Sequence, residues 1–256
     1  MRFSSVFVRG TTVAALLLLS GCATPPQVKE VLGDKEGYLS KNFDPATLPE
    51  GIRREVASKD SGSVPYRRMV LDMSWTSTAD DKEKEIKYQD KVTYINAGGP
   101  FLEELHESSR NGVPTVQRFI TSYRGILTLK AEALNVGNTM AGMTFVAHDF
   151  KQFEPLRPDM AKSIEFAYTI GTTVQLMNFH DGRNACLLGD SYAATRANAA
   201  LEGDAQDIEC TNYNANGVMS GKSHYVYLKK YGTAIFVKGE GSGGISEGHI
   251  DSVKFG

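Results

Sequence analysis

Tryptophan occurs once in the 256 residues, cysteine three times and histidine five times. The histidines (His106, His148, His180, His224 and His249) form no His-x-His or His-Glu-x-x-His pair, so spacing points to no metal site and to no cofactor. Neither charge sign dominates: Lys and Arg number 28 against 30 for Asp and Glu, for a net charge of -2. No basic face stands out, which argues against nucleic acid as a partner. Beyond the N-terminus there is no long apolar run, so no second membrane span is expected. Helical patterns do not alternate regularly with strand patterns, which argues against a parallel sheet. No internal repeat or low-complexity segment is present.

The N-terminus is the most informative stretch. Arg2 and Arg9 precede an apolar run, Val13 to Leu19, that is shorter than the roughly 20 residues needed to span a bilayer. This is the pattern of a secretory signal over residues 1–21. It ends in Leu19-Ser20-Gly21-Cys22, which resembles the lipobox of bacterial lipoproteins at all four positions. The resemblance implies lipid on the Cys22 sulfur, cleavage before Cys22 and acylation of the new N-terminus. It also implies a membrane partner through that lipid, because several acyl chains at about 0.8 kcal/mol per buried CH₂ make a lasting anchor. Ala23 stands where aspartate tends to retain such proteins in the inner membrane, so the resemblance favours the outer membrane, facing the periplasm. Loss of Arg2 and Arg9 would take the net charge from -2 to -4.

Export would place the other two cysteines, Cys186 and Cys210, in an oxidising compartment, where pairing is the default. Their bridge closes a loop of about 25 residues, worth roughly 3 kcal/mol in the chain-entropy model.

Residues 22–62 read as a tether and N-terminal extension, punctuated by Gly33, Gly37, Asn42 and Pro45. Within it Leu48, Ile52 and Val56 recur at helical spacing, which predicts a short helix over Pro49 to Lys59. Residues 63–256 read as one β-rich domain. Met69, Leu71, Met73 and Trp75 alternate with Arg68, Val70, Asp72 and Ser74, as in a half-buried strand. The charged stretch from Thr78 to Lys91 reads as an exposed loop or hairpin tip, followed by a strand over Val92 to Asn96. Gly98-Gly99-Pro100 and Asn111-Gly112 bracket a helix expected over Phe101 to Arg110. Strand follows strand thereafter, with turns at Arg124-Gly125 and Asn135 to Asn138 and an interruption at Pro155 to Pro158. The clearest alternation runs from Ile164 through Phe166, Tyr168, Ile170, Thr172 and Val174 to Leu176. Asp181-Gly182 reads as a hairpin turn, Ser191 to Leu201 as a short helix or covering loop, and Lys229 to Gly232 as the turn of a terminal hairpin. Ser252 to Phe255 reads as a last short strand. The fold class is mainly β: an antiparallel β-sandwich or a curved, open half-barrel with a few short helices.

Three strings resemble catalytic or cofactor motifs. Gly189-Asp190-Ser191 follows a strand and is similar to the nucleophile block of GDSL-type hydrolases, but no Asp-x-x-His follows it. Gly239-x-Gly241-x-x-Gly244 has the form of a dinucleotide fingerprint, but too little chain remains for the helix that motif requires. Glu103-x-x-His106 resembles half of a di-iron motif and has no second copy. The aromatic residues are more suggestive. Phe166 and Tyr168 on the long strand, with Tyr225, Tyr227 and Phe236 on the terminal hairpin, form a candidate apolar groove within a curved sheet. The expected function is therefore a lipid-anchored envelope module that binds a partner protein or a lipid-like ligand. The alternative is a periplasmic serine hydrolase using Ser191.

Overall fold

The computed structural model describes residues 26–78, 85–157 and 162–256. The signal segment, the lipobox with Cys22, residues 79–84 of the charged stretch and residues 158–161, with Pro158, lie outside the described residues.

Twelve strands form a closed antiparallel barrel. In chain order they are β1 (Arg68–Thr78), β2 (Glu85–Asn96), β3 (Phe101–Arg110), β4 (Val113–Tyr123), β5 (Leu127–Asn135) and β6 (Phe145–Phe153), then β7 (Ser163–Thr172), β8 (His180–Ala193), β9 (Asp204–Tyr213), β10 (Met219–Leu228), β11 (Thr233–Gly241) and β12 (Gly244–Phe255). Every strand pairs with its neighbours in sequence, and β1 closes the ring against β12 from Met69–Phe255 to Thr78–Ile245. The architecture is mainly β, as expected, but it is neither a sandwich nor an open half-barrel. Closure removes both free edges, which an open sheet would have to protect.

On β1, β2 and β12 the outer wall is polar: Ser74, Lys87, Gln89, Lys91, Glu247 and His249 are exposed. Met69, Leu71, Met73 and Trp75 point the other way and are buried. On these three strands the pattern is the reverse of a membrane-spanning barrel, which turns an apolar band outward.

The ring is not uniform. β5 and β6 share only two residue pairs, Lys130–Val146 and Ala131–Phe145. Helix α3 (Glu50–Lys59) fills the rest of that seam. Ile52 and Val56, with Leu48 before the helix, belong to one buried cluster with Leu127 and Leu129 of β5 and Phe153 of β6. The predicted apolar stripe is thus the face that closes the barrel wall.

Upstream of α3 the extension is more ordered than a tether. Residues Val28–Gly33 (α1) and Lys35–Asn42 (α2) are helical despite their two glycines. Asp34 caps α2 by accepting from the Gly37 N–H at 3.0 Å. Val31, Leu39 and Phe43 pack on Leu105, Phe119 and Leu134, which point outward from β3, β4 and β5. Lys130 donates to the Asn42 carbonyl and Thr121 to that of Phe43, while Arg68 forks onto Glu36. The segment is a strap across the outer wall.

That strap explains the clearest error in the sequence reading. Phe101 to Arg110 is strand β3, not a helix. Its outward residue Leu105 is covered by the strap and its inward residue Leu102 by the core, so both faces are occupied and the period-two signal is blurred. Asn111 (φ 51) and Gly112 (φ 76) both take left-handed backbone and form the two-residue turn into β4, rather than ending a helix. Other corrections are local. The alternation from Ile164 ends at Thr172, and Val174 and Leu176 are exposed in the β7–β8 connection. Asp181-Gly182 lies inside β8, not at a turn. Ser191 also lies in β8, followed by one helical turn at Ala194–Arg196 and then loop. The final strand is longer than expected, starting at Gly244.

Candidate functional site

A barrel of twelve strands is wider than the eight whose interior side chains just fill. Here the excess is divided. The side formed by β6 to β9 is solid, packed around Phe153, Phe166, Ile208 and the disulfide between Cys186 and Cys210, which face each other across β8 and β9. The side formed by β1 to β4 encloses a cavity of about 310 Å³, closed across the barrel by Tyr225 of β10 and Phe236 of β11.

The cavity has two characters. One wall is aromatic. Trp75, the only tryptophan, lies between Tyr88 (centroids 5.9 Å apart) and Phe236 (5.4 Å), and Tyr225 meets Phe236 edge-on at 5.6 Å. Gly248 on β12 makes room for the indole: a Cβ there would come within 2.7 Å of the ring. Met73, Val92 and Tyr94 continue the apolar lining.

The other wall, from β2 to β4, is polar. The Glu104 carboxylate accepts from the Ser122 hydroxyl and is 2.8 Å from His106 Nε2. Arg118 reaches Ser108 Oγ at 3.3 Å. Asp90 is buried, and its Oδ1 has no hydrogen-bond partner among the described residues. The same holds for the indole Nε1 of Trp75. A buried unpaired acceptor and a buried unpaired donor are each costly, and both side chains belong to the lining of this cavity. The dry setting also acts on the tyrosines. Burial, with Asp90 nearby, raises the Tyr88 hydroxyl above its ordinary value. Burial, aided by Glu104, raises Tyr94 well above it, and Tyr225 is pushed up to about 12, mainly by burial. All three therefore act as neutral donors or acceptors at neutral pH.

The expected aromatic groove and the cavity overlap in part. Tyr225 and Phe236 line it. Phe166 and Tyr227 are buried in the solid part, and Tyr168 packs beside them while its hydroxyl donates to Asn184 Oδ1 at 3.1 Å. Nothing in the sequence groups Trp75, Tyr88, Asp90, Glu104, His106 and Arg118 as one site. For Trp75 the signal was present, since it shares the apolar face of β1. For Glu104 and His106 it was hidden by the helical reading of β3, because residues two apart share a face only on a strand.

The Ser–Glu–His chain does not have the order of a nucleophile triad. Glu104 lies between Ser122 and His106, so no imidazole is placed to take the serine proton. Ser191 is exposed on β8 and pairs with Gln206. His180 is eleven residues along the same strand, roughly 35 Å for an extended chain. His224 lies on β10 between Glu209 and Glu240. The glycines of 239–244 sit in the β11–β12 hairpin. Among the described residues no group of three or more His, Cys, Asp or Glu is arranged to hold a metal ion.

Compared with protein-family models, with curated proteins and with solved structures, the chain matches none.

Proposed function

We propose that the protein is a lipoprotein, anchored to the outer membrane through Cys22 and facing the periplasm, whose barrel binds a lipid-like ligand. The observation that carries this reading is a cavity with one aromatic wall and one polar wall inside the barrel. Such a cavity suits an amphiphile: its apolar part lies against Trp75, Phe236 and Tyr225, and its polar group lies against the wall of Asp90, Glu104, His106 and Arg118. The lipobox supports the anchor, and the disulfide fits an exported chain.

The single tryptophan makes the test direct. Titration with a medium-chain fatty acid or a lysophospholipid should shift Trp75 emission to saturation. Val92→Phe, which fills part of the cavity, should weaken binding by roughly tenfold or more while leaving the circular dichroism unchanged. An emission spectrum insensitive to every amphiphile would reject the ligand and leave an envelope protein as the partner. The anchor has its own test: Cys22→Ala should abolish palmitate labelling and release the chain from the membrane fraction.

A further inference from the structure

The two ends of the barrel differ. Among the described residues thirteen large apolar side chains are exposed, and eleven of them sit at one end. That end carries the hairpins β1–β2, β3–β4, β5–β6, β7–β8, β9–β10 and β11–β12. Three hairpins hold eight of the eleven: Met140, Met143 and Phe145 at β5–β6, Val174, Leu176 and Met177 at β7–β8, and Val218 and Met219 at β9–β10. Leu176 is 89% exposed and Val174 84%. The other three hairpins add one apolar residue each. Of the other two among the described residues, Leu187 lies on β8 opposite Ser163, the first residue of β7, and Phe255 lies at the opposite end, where its ring stacks on Tyr231.

The N-terminal strap enters the structure at the apolar end. Gln27 bridges to Met140 in the β5–β6 connection, the Val28 N–H donates to the Thr139 carbonyl at 3.1 Å, and the Ala141 N–H donates to the Pro26 carbonyl at 3.2 Å. Cys22 is five residues before Gln27, so it lies within about 18 Å of the rim even when the chain is fully extended.

We infer that this apolar rim docks on a phospholipid bilayer, the one that holds the N-terminus, with the barrel mouth facing the lipid. The inference deepens the reading of an anchored lipid binder and rests on it for the anchor at Cys22. The rim geometry and the strap exit stand apart from the cavity. A short tether keeps the rim at high effective concentration over the bilayer, so weak insertion of several side chains suffices. Trp75 and Tyr88 each lie three residues from the strand ends at that rim, Thr78 and Glu85, so the aromatic wall begins just inside it.

The test tethers the N-terminus whether or not Cys22 is lipidated. Residues 23–256, which contain every element described, are bound through an N-terminal hexahistidine to phosphatidylethanolamine–phosphatidylglycerol vesicles doped with a nickel-chelating lipid. An environment-sensitive probe is placed by Leu176→Cys, or by Glu202→Cys at the far end. The probe at 176 should shift to the blue and be quenched by brominated lipid, and the probe at 202 should do neither. Adding Val174→Glu and Met177→Glu should abolish the shift at 176. A water-like signal at 176 on tethered vesicles, or equal responses at 176 and 202, would overturn the inference. So would a blue shift without vesicles that grows with protein concentration, which would assign the rim to a second copy of the chain. Failure here leaves the Trp75 titration untouched, so the two readings fall separately.

Discussion

Removing the Arg124 side chain should destabilise the fold by about 3–5 kcal/mol, the usual cost of breaking one side of a buried ion pair. Arg124 sits in the β4–β5 turn and holds three segments together. Its guanidinium donates to Asp60 Oδ2 at 2.6 Å and Oδ1 at 2.9 Å, to the Gly62 carbonyl at 2.9 Å and to the Gly232 carbonyl at 3.1 Å. Asp60 also accepts from the Tyr123 hydroxyl at 2.7 Å, and that hydroxyl accepts from the Leu156 N–H at 2.8 Å. The pair is dry, with 8% of the Arg124 side chain and 12% of the Asp60 side chain exposed, so solvent screening does little to weaken it. For a chain of this length the loss corresponds to a fall in Tm of roughly 6–20 °C. Urea and thermal unfolding of Arg124→Ala, followed by Trp75 emission and circular dichroism, measure it. Asp60→Ala with Arg124→Ala should cost less than the sum of the two single changes, because the second removes a partner already stranded. Burial alone would raise the Asp60 carboxyl, but the hydrogen bonds from Arg124 and Tyr123 outweigh it and hold the group below its usual 3.8. A depressed carboxyl contributes stability that is complete above the unfolded value and disappears as pH falls through the folded one. The pair's contribution should therefore be present at pH 5 and lost in the range below about 3.8, and Asp60→Asn should flatten that acid limb. An Arg124→Ala protein within about 1 kcal/mol of the parent would refute the argument, since surface pairs cost that little.

Three further outcomes test other parts of the fold. Gly125→Val should be strongly destabilising, because φ is +73 and a Cβ would stand 2.2 Å from the Ala234 carbonyl oxygen; failure to recover folded protein on expression, or a Tm well below the parent's, is the expected result. Phe43→Ala should cost about 3–5 kcal/mol in denaturant unfolding if the strap belongs to the cooperative unit, and almost nothing if it is a loose tether. Replacing Cys186 and Cys210 together by serine should cost roughly 3 kcal/mol, measured against the parent under non-reducing conditions.

Much of the strand content was legible because one face of most strands is buried and the other is wet. β1 and β7 show this in Met69 to Trp75 and in Ile164 to Ile170. The terminal hairpin was equally plain, with Gly232 in left-handed backbone at its turn. The pairing of Cys186 with Cys210 followed from their count and the expectation of export, and the helix over residues 50–59 from its apolar spacing. What the sequence could not display was which elements cover which. β3 looked helical because the strap buries its outer face and the core its inner one. Residues 28–42 looked like linker because their few apolar side chains matter only against Leu105, Phe119 and Leu134. Closure of the ring depends on β1 meeting β12, residues more than 160 positions apart, and no local pattern encodes that pairing. The cavity follows from closure. Trp75, Asp90, Glu104 and Phe236 come from four strands and become one site only when a ring too wide to be filled by its own side chains draws them to a common interior.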